Sequence, residues 1–284
     1  MSATGALPPG LYVVATPIGN LGDLTARAAD VLSRADLILA EDTRVTGKLL
    51  AYVGSTVPTR RHDDHASDEE RARVVDMLGS KAVALVSDAG TPLISDPGYR
   101  LVRDARAAGV AVHTLPGPCA GIAALTLAGL PTDRFLFMGF LPAKAKARSD
   151  AIAEVAGLRA TLLIYESGPR LGATLEALLL GLGEREAAVI REISKLYEEC
   201  VTARLSDLAS RYAGAPPKGE IVIVVGPPAE TAEASDSDLD SALDEALKTL
   251  SPSRAAAQVA EELGIPRKRA YARALDRSTL DRSK

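Results

Sequence analysis

Short apolar runs alternate with helically spaced apolar positions through the first part of the chain. The runs that predict buried strands are residues 11–15, 37–40, 83–87 and 110–115. Between the first two runs, Leu24, Ala28 and Val31 recur at the spacing of a helix, and Asp23 or Thr25 is available as its N-cap. Regular alternation of strand and helix is typical of an α/β fold with a largely parallel sheet.

A weaker repeat of the same pattern follows. Strands are predicted at residues 135–140, 161–165, 187–193 and 221–225, and a helix is predicted from Arg170. The intervening segment AKAKARS, residues 143–149, has the composition of a linker. These elements predict a second α/β unit.

The end of the chain has a different pattern. Residues 229–238 are acidic, rich in Ala and Ser and without a period, which predicts a linker. Beyond it, Leu243, Leu247 and Leu250 predict one helix, residues 256–263 a second, and residues 267–275 a third after the break at 264–266. The helix, short turn, helix order resembles a helix-turn-helix. We therefore expect domains at residues 1–117 and 118–228, and a small helical appendage at 238–284.

Composition limits the function classes. The 284 residues are 47% hydrophobic, with no apolar run near the ~20 residues of a membrane span and no N-terminal signal pattern, so we expect a cytoplasmic protein. A formal net charge of −4 is not that of a protein that coats nucleic acid, and 4% aromatic content argues against a stacking platform. RNA contact would depend on local patches: from Ser251 onward there are eight Lys and Arg against four Asp and Glu.

Three loops follow predicted parallel strands: residues 16–20, 88–92 and 116–120. Ligands bind at that edge of open parallel sheets. Each loop combines Gly with Pro, which lets the backbone approach a ligand while the turn stays rigid, although Gly and Pro also simply punctuate turns. Three such loops together favour a ligand cleft.

A nicotinamide-dependent enzyme is one alternative for this cleft. Glu41 and Asp42 follow Gly19 and Gly22 at about the 20-residue offset of a ribose-binding acid. The GxGxxG fingerprint is absent, however, and Asp23 places an acid where a pyrophosphate would lie.

Longer motifs carry a family resemblance. They are LYVVATPIGNLGDLTARA (residues 11–28), LAEDTR (39–44), SDAGTPLISDPG (87–98), LPGPCA (115–120), YESGPR (165–170) and REISKLYEE (191–199). In this order they resemble the tetrapyrrole-methylase superfamily, and within it the bacterial enzymes that methylate 16S ribosomal RNA. The resemblance implies an α/β, two-domain class III methyltransferase fold with a small C-terminal helical appendage. It also implies S-adenosylmethionine as cofactor between the domains, a homodimer, and the 30S ribosomal subunit as partner.

The resemblance assigns roles to individual residues. It implies that the cofactor neighbours are Ile18, Asp88, Thr91, Cys119, Ala120 and Tyr165. It implies 2′-O-methylation of a cytidine ribose in the decoding region. The alternatives are a small-molecule methyltransferase acting on a corrin or other tetrapyrrole, and a non-catalytic ribosome-assembly factor that keeps the fold.

Chemistry at a ribose hydroxyl adds its own requirements. A methyl sulfonium needs no metal, so the enzyme mainly aligns the reacting atoms, while a base near the hydroxyl proton assists. The candidates for that base are Glu41, Asp42 and Lys195, with Asp88 and Glu166 also in motif loops; an acid there is as often an N-cap or half of an ion pair.

Basic side chains suit the substrate's phosphates. Arg44, Arg170 and Arg191 are candidates for phosphate contact, with salt bridges as their other role. The segment with Lys144, Lys146 and Arg148 and the basic end of the appendage are candidates for docking on the ribosome. The alternative for the appendage is a solvated dimerisation or docking element without RNA contact.

One polar cluster raises the question of a metal. His62, Asp63, Asp64 and His65 match no standard ligand spacing, so we expect a substrate-facing or solvated loop and no metal.

Overall fold

The computed structural model describes residues 5–63, 66–229 and 235–281. The chain divides into two compact units, residues 1–228 and 229–284. The first unit is α/β and the second is helical, as predicted. The finer division of the first unit at residues 117/118 stays a prediction.

The first sheet has the strand order β3-β2-β4-β1-β5, and every pairing in it is parallel. The strands are β1 (Gly10–Val14), β2 (Leu37–Ala40), β3 (Thr59–Arg61), β4 (Ala82–Val86) and β5 (Val112–Leu115). β1 and β4 are buried along their whole length, which explains their unbroken apolar sequences. The predicted parallel sheet is confirmed.

Helices cover both faces of this sheet because successive strand residues point to opposite sides. They are α1 (Ala26–Arg34), α2 (Thr43–Val53), α3 (Asp68–Leu78) and α4 (Tyr99–Ala107). Val14 packs in one cluster with Leu32 of α1, whereas Val13 packs in another with Leu78 of α3. Thr25, one of the two predicted caps, is the N-cap of α1, and its hydroxyl accepts the Ala28 amide at 3.1 Å.

The second sheet has the order β6-β7-β10-β8-β9 and is mixed. Its strands are β6 (Phe135–Phe140), β7 (Thr161–Ser167), β8 (Glu186–Arg191), β9 (Glu199–Arg204) and β10 (Glu220–Val225). β6 and β7 pair in parallel and the other pairs are antiparallel. The apolar pattern did not predict β9, because every second residue of this edge strand is exposed. The remaining helices of this unit are α5 (Ala120–Ala128), α6 (Ala145–Glu154), α7 (Gly168–Leu182) and α8 (Leu205–Tyr212).

The prediction of a linker at residues 143–149 is wrong. Helix α6 begins at Ala145 and continues to Glu154, so Lys146 and Arg148 lie on a helix. The composition of residues 143–149 did not indicate a helix, because Ile152, the side chain that this helix buries, comes after that segment. Lys146 forms an exposed ion pair with Asp150 at 3.0 Å.

The C-terminal unit consists of α9 (Asp236–Leu247), α10 (Pro252–Glu262) and α11 (Arg267–Asp281). α9 begins within the predicted linker 229–238, and of that segment residues 230–234 lie outside the described residues. Leu243, Val259 and Ala270 meet in its core. Of the chain as described, no helix is long and apolar enough to cross a membrane.

Arginines of α11 pair with carboxylates of α9 in the same unit. Arg273 contacts Asp240 through two hydrogen bonds of 2.6 and 2.8 Å, and Arg269 contacts Asp236 at 2.9 Å. Arg277 pairs with Asp244 and, at 3.0 Å, with Asp240. Much of the local basic excess is therefore matched by acids within the unit.

Candidate active site

The three Gly-Pro loops follow β1, β4 and β5, which are neighbours in the first sheet. Thr16 and Gly90 join the first two loops through reciprocal backbone hydrogen bonds of 2.8 and 3.0 Å. The Thr91 hydroxyl donates to the Pro118 carbonyl at 2.9 Å and joins the second loop to the third. The loops therefore form one connected surface at the carboxyl edge of the sheet.

A cavity of about 320 Å³ lies on this surface. Its lining is Ile18, Ala89, Gly90, Thr91, Ile94, Ser95, Asp96, Cys119, Ala120, Phe140, Tyr165, Glu166, Ser167, Ile193, Gly219, Glu220, Ile221 and Val222. The structure thus brings together five of the six predicted cofactor neighbours. The sixth, Asp88, is not in the lining, and its carboxylate accepts the Asp42 amide at 3.0 Å.

Tyr165 connects the third loop to the second sheet. Its hydroxyl accepts the Gly121 amide at 3.0 Å, at the start of α5. Burial, together with the neighbouring Cys119 thiol, raises the pKa of Tyr165 to about 12. Its ring makes edge contacts with Phe137 and Phe140, at centroid distances of 4.9 and 5.6 Å. The phenol is therefore a neutral, fixed part of the cavity wall at physiological pH.

Asp96 is a lining residue that sequence reasoning missed. It lies in the loop SDAGTPLISDPG, two of whose non-glycine residues, Leu93 and Ser95, have positive φ angles of 75° and 61°. Burial raises the pKa of Asp96 to about 6, and the negative charges of Glu41 and Asp88 add to the rise, against a hydrogen bond with Ser87 that lowers it. The only sequence signal was its place in a long motif.

A bulge in β6 brings the second sheet against this loop. The register shifts between Phe137 and Gly139, and Gly139 has a φ of 61°. A Cβ on Gly139 would lie 2.9 Å from the Ser95 hydroxyl. This close approach places Phe140, which is 58% exposed, on the cavity wall beside the Ser95–Asp96 segment.

The loop between β8 and β9 contributes Ile193 to the cavity lining. Next to it, the Lys195 ammonium lies 2.9 Å from carboxylate oxygens of both Glu192 and Glu220. Burial alone would lower the pKa of Lys195, but the bonds to these two carboxylates raise it overall. Lys195 is therefore a protonated, ion-paired group outside the lining.

Among the acids considered as a base, Glu41, Asp42 and Asp88 lie outside the lining and Glu166 lies in it. Asp42 is the N-cap of α2, and hydrogen bonds from Arg44 hold the pKa of Asp42 down at about 2. Glu41 is close enough to Asp96 for its charge to raise the pKa of that carboxyl.

The predicted phosphate ligands have protein partners. Arg170 donates to the Leu141 carbonyl at 2.6 Å and pairs with Glu166, whose buried carboxylate also accepts the Thr174 hydroxyl. Arg191 pairs with Glu199 across the β8–β9 ladder at 3.2 Å. Arg44 pairs with Asp42 but its side chain is 88% exposed, so it is the most accessible of the three.

His62 does not lie in a solvated loop, which corrects the expectation for that residue. Its side chain is buried, although the residue directly follows β3, and burial lowers the pKa of its imidazole. Asp63 pairs with Arg61 at 2.9 Å, and Asp64 and His65 lie outside the described residues. Among residues 5–63, 66–229 and 235–281, no group of three or more His, Cys, Asp or Glu side chains is placed to hold a metal ion.

Two known families match segments of this chain. Residues 10–209 match the family described as Tetrapyrrole (Corrin/Porphyrin) Methylases. The chain belongs to the tetrapyrrole methylase family. Residues 233–278 match a second family, the RsmI C-terminal HTH domain, and the resemblance indicated by the motifs is confirmed.

Within the tetrapyrrole methylases, the chain is similar over nearly its whole length to proteins named Ribosomal RNA small subunit methyltransferase I. It is 55% identical to that of Erythrobacter litoralis over 273 residues, which covers 96% of this chain and 97% of the relative. It is 43% identical to that of Escherichia coli O157:H7, covering 94% of each.

Solved structures share the methylase fold. Diphthine synthase superposes with a TM-score of 0.59 at 17% identity, covering 76% of this chain and 89% of that one. A uroporphyrin-III C-methyl transferase from Thermus thermophilus, complexed with S-adenyl homocysteine, superposes with a TM-score of 0.53 at 21% identity, covering 76% and 97%.

Proposed function

We propose that this protein transfers the methyl group of S-adenosylmethionine to the 2′-hydroxyl of a cytidine ribose in 16S ribosomal RNA, in the decoding region of the small subunit. The observation that carries the proposal is the convergence of Ile18, Thr91, Cys119, Ala120 and Tyr165 on one cavity. These residues come from four separate segments, and family resemblance assigns each of them to the cofactor. The 55% identity to a ribosomal RNA methyltransferase favours RNA over a corrin, and methylase family membership counts against a nicotinamide enzyme.

The cavity fits S-adenosylmethionine in size and charge. Its volume of about 320 Å³ lies at the lower end of the ~300–1,000 Å³ range of small-molecule sites. Apolar walls from Ile18, Ile193 and Tyr165 suit an adenine ring, and Asp96 supplies a carboxylate for a cationic amino group. Glu41 and Asp88 add negative charge near Asp96, which a bound cation would offset.

The chain's main contribution to the chemistry is positioning. The bound cofactor supplies an electrophilic methyl group, so the protein must hold the ribose oxygen in line with it and exclude water. Of Glu41, Asp42 and Lys195, we retain Glu41 as the candidate base. Asp42, with a pKa of about 2, is a weak base, and Lys195 already carries its proton.

The test uses purified protein, labelled S-adenosylmethionine and 30S subunits from a strain lacking the modification. We expect the label at a single cytidine. The phosphodiester bond on the 3′ side of that cytidine should resist alkaline cleavage, because a methylated 2′-oxygen cannot attack it. Label on a base would contradict the ribose assignment. Binding of S-adenosylmethionine without label in any RNA would favour a non-catalytic assembly factor.

We also propose that the protein is a homodimer in the cytoplasm. Family resemblance supports the dimer, and sedimentation velocity of the purified chain tests it. A species of 29.6 kDa at micromolar concentration would contradict it.

A further inference from the structure

The loop between β8 and β9, residues 192–198, is anchored from both sides. Lys195 binds Glu192 of the same loop and Glu220 of β10, each at 2.9 Å. The Ser194 hydroxyl donates to Asp23 near the first loop, and the Ser194 amide donates to Glu198 at 2.6 Å. The loop therefore bridges the first Gly-Pro loop and the second sheet.

Two residues in this loop have uncommon backbone angles. Glu192 and Ser194 have φ values of 53° and 65°, in the left-handed region that non-glycine residues rarely adopt. Such conformations cost free energy and persist only where surrounding contacts enforce them, often at ligand sites. Here the contacts of Ser194 and Lys195 enforce them.

The same loop exposes two large side chains. Leu196 is 88% exposed and Tyr197 is 68% exposed, directly after Lys195, whose side chain is 25% exposed. A single exposed apolar side chain is ordinary. Here two adjacent large side chains are exposed on an anchored loop that also reaches the cavity. Ile193 of this loop is in the lining, and Lys195 binds Glu220, which is in the lining too. Leu196 and Tyr197 therefore belong to a loop that reaches the cavity through Ile193.

We propose that Leu196 and Tyr197 contact unstacked nucleobases of the RNA next to the ribose that is methylated. This inference rests on the proposed function. Sequence-specific RNA recognition mostly targets unpaired, unstacked bases, which can stack on aromatic side chains, and apolar side chains can insert between base steps. One tyrosine ring can stack on any single base, without the platform of several aromatic residues that the low aromatic content argues against. An anchored loop loses little conformational freedom on binding, so the contact is not offset by ordering of the protein.

The test compares variants in steady-state methylation of 30S subunits. The test variants are Leu196→Ala and Tyr197→Ala. The matched controls are Leu180→Ala on α7, where the leucine is 80% exposed, and Tyr52→Ala on α2, where the tyrosine is 56% exposed. We expect Tyr197→Ala to raise KM for the subunit about tenfold, with kcat and the Kd for S-adenosylmethionine unchanged, since loss of one stacked base has an effect of that order. Tyr197→Trp should restore KM, and both controls should match the wild type.

Three results would overturn the inference. An unchanged KM in both test variants would show that Leu196 and Tyr197 do not contact RNA. A weaker Kd for S-adenosylmethionine would assign the loop to the cofactor. A change in sedimentation mass, with KM following it, would assign Leu196 and Tyr197 to a contact between two copies of the chain. If the wild type fails to methylate 30S subunits at all, the proposed function itself fails, which is a distinguishable outcome.

Discussion

The aliphatic chain of Lys195 lies directly over Gly19. A Cβ at position 19 would lie 2.6 Å from Lys195 Cε, and Gly19 has a φ of 148°. The two residues are 176 positions apart, yet their contact joins the first Gly-Pro loop to the β8–β9 loop. Because the Lys195 ammonium is held by two carboxylates, the lysine cannot move aside without losing an ion pair.

Gly19→Ala should therefore destabilise the protein by about 1–3 kcal/mol, the scale of an enforced left-handed residue. Urea denaturation measures this free energy of unfolding. Gly47→Ala is the control, since Gly47 lies in α2 with open space around it and alanine there should stabilise by about 0.5–1 kcal/mol. Equal effects of the two substitutions would contradict the contact.

Asp96→Asn should weaken binding of S-adenosylmethionine on the order of tenfold to a hundredfold, because a charge-assisted hydrogen bond is lost. In the wild type, affinity should fall as pH is lowered through about 6, where the Asp96 carboxylate becomes protonated. Calorimetry from pH 5.5 to 8 measures both. A pH dependence that persists unchanged in Asp96→Asn would rule out Asp96 as the titrating group.

The same substitution should have the opposite effect on stability. The pKa of Asp96 is higher in the folded chain than its ordinary value of 3.8, so the folded state binds the proton more tightly. Its ionisation disfavours folding above pH 6, and this effect disappears as pH falls below 3.8. Asp96→Asn should raise the melting temperature of the ligand-free protein at pH 7.5 and leave it unchanged near pH 4. A lower melting temperature at pH 7.5 would count against burial of the charge.

Thr91→Val should loosen the junction between the second and third loops. The Pro118 carbonyl would lose its hydrogen bond, at a cost of about 1–3 kcal/mol, and affinity for S-adenosylmethionine should fall severalfold. Thr126→Val is the control, because the Thr126 hydroxyl is exposed and bonds only within α5, to the Ala123 carbonyl. If Thr91→Val binds S-adenosylmethionine as tightly as the wild type, this hydrogen bond does not contribute to cofactor binding.

Asp240→Asn should lower the melting temperature of the C-terminal helical unit, more at low salt than at high salt, since Asp240 pairs with both Arg273 and Arg277. These arginines hold the pKa of Asp240 below its ordinary value. The ion pairs of Asp240 therefore stabilise the folded unit fully above about pH 4. This stabilisation is lost at lower pH, as the Asp240 carboxylate becomes protonated. Circular dichroism melts of the full chain measure it. Glu245→Gln lies on the same helix and should have a smaller effect, because among the described residues Glu245 pairs with Lys248, one turn away.

The sequence by itself determined four of the five strands of the first sheet, their parallel direction and the position of the three loops. This was possible because a strand buried on both faces is an unbroken apolar run, as in β1 and β4, and because Gly-Pro turns mark its end. It did not predict β3, whose three residues are exposed and form no apolar run. The motifs likewise placed Ile18, Thr91, Cys119, Ala120 and Tyr165 near a cofactor, and the cavity contains all five.

Only the tertiary structure decided what depends on contacts between distant segments. In the structure His62 is buried, and residues 145–149 form the start of a helix whose buried side chain is Ile152. β9 is a half-exposed strand at the edge of the second sheet. The tertiary structure also separated carboxyl groups that look alike in sequence. Asp42 lies against Arg44 at a helix start and has a low pKa, whereas Asp96 is half-buried near other acids and has a raised one. Burial and neighbouring charge, not residue type, set the free energy of each ionised form.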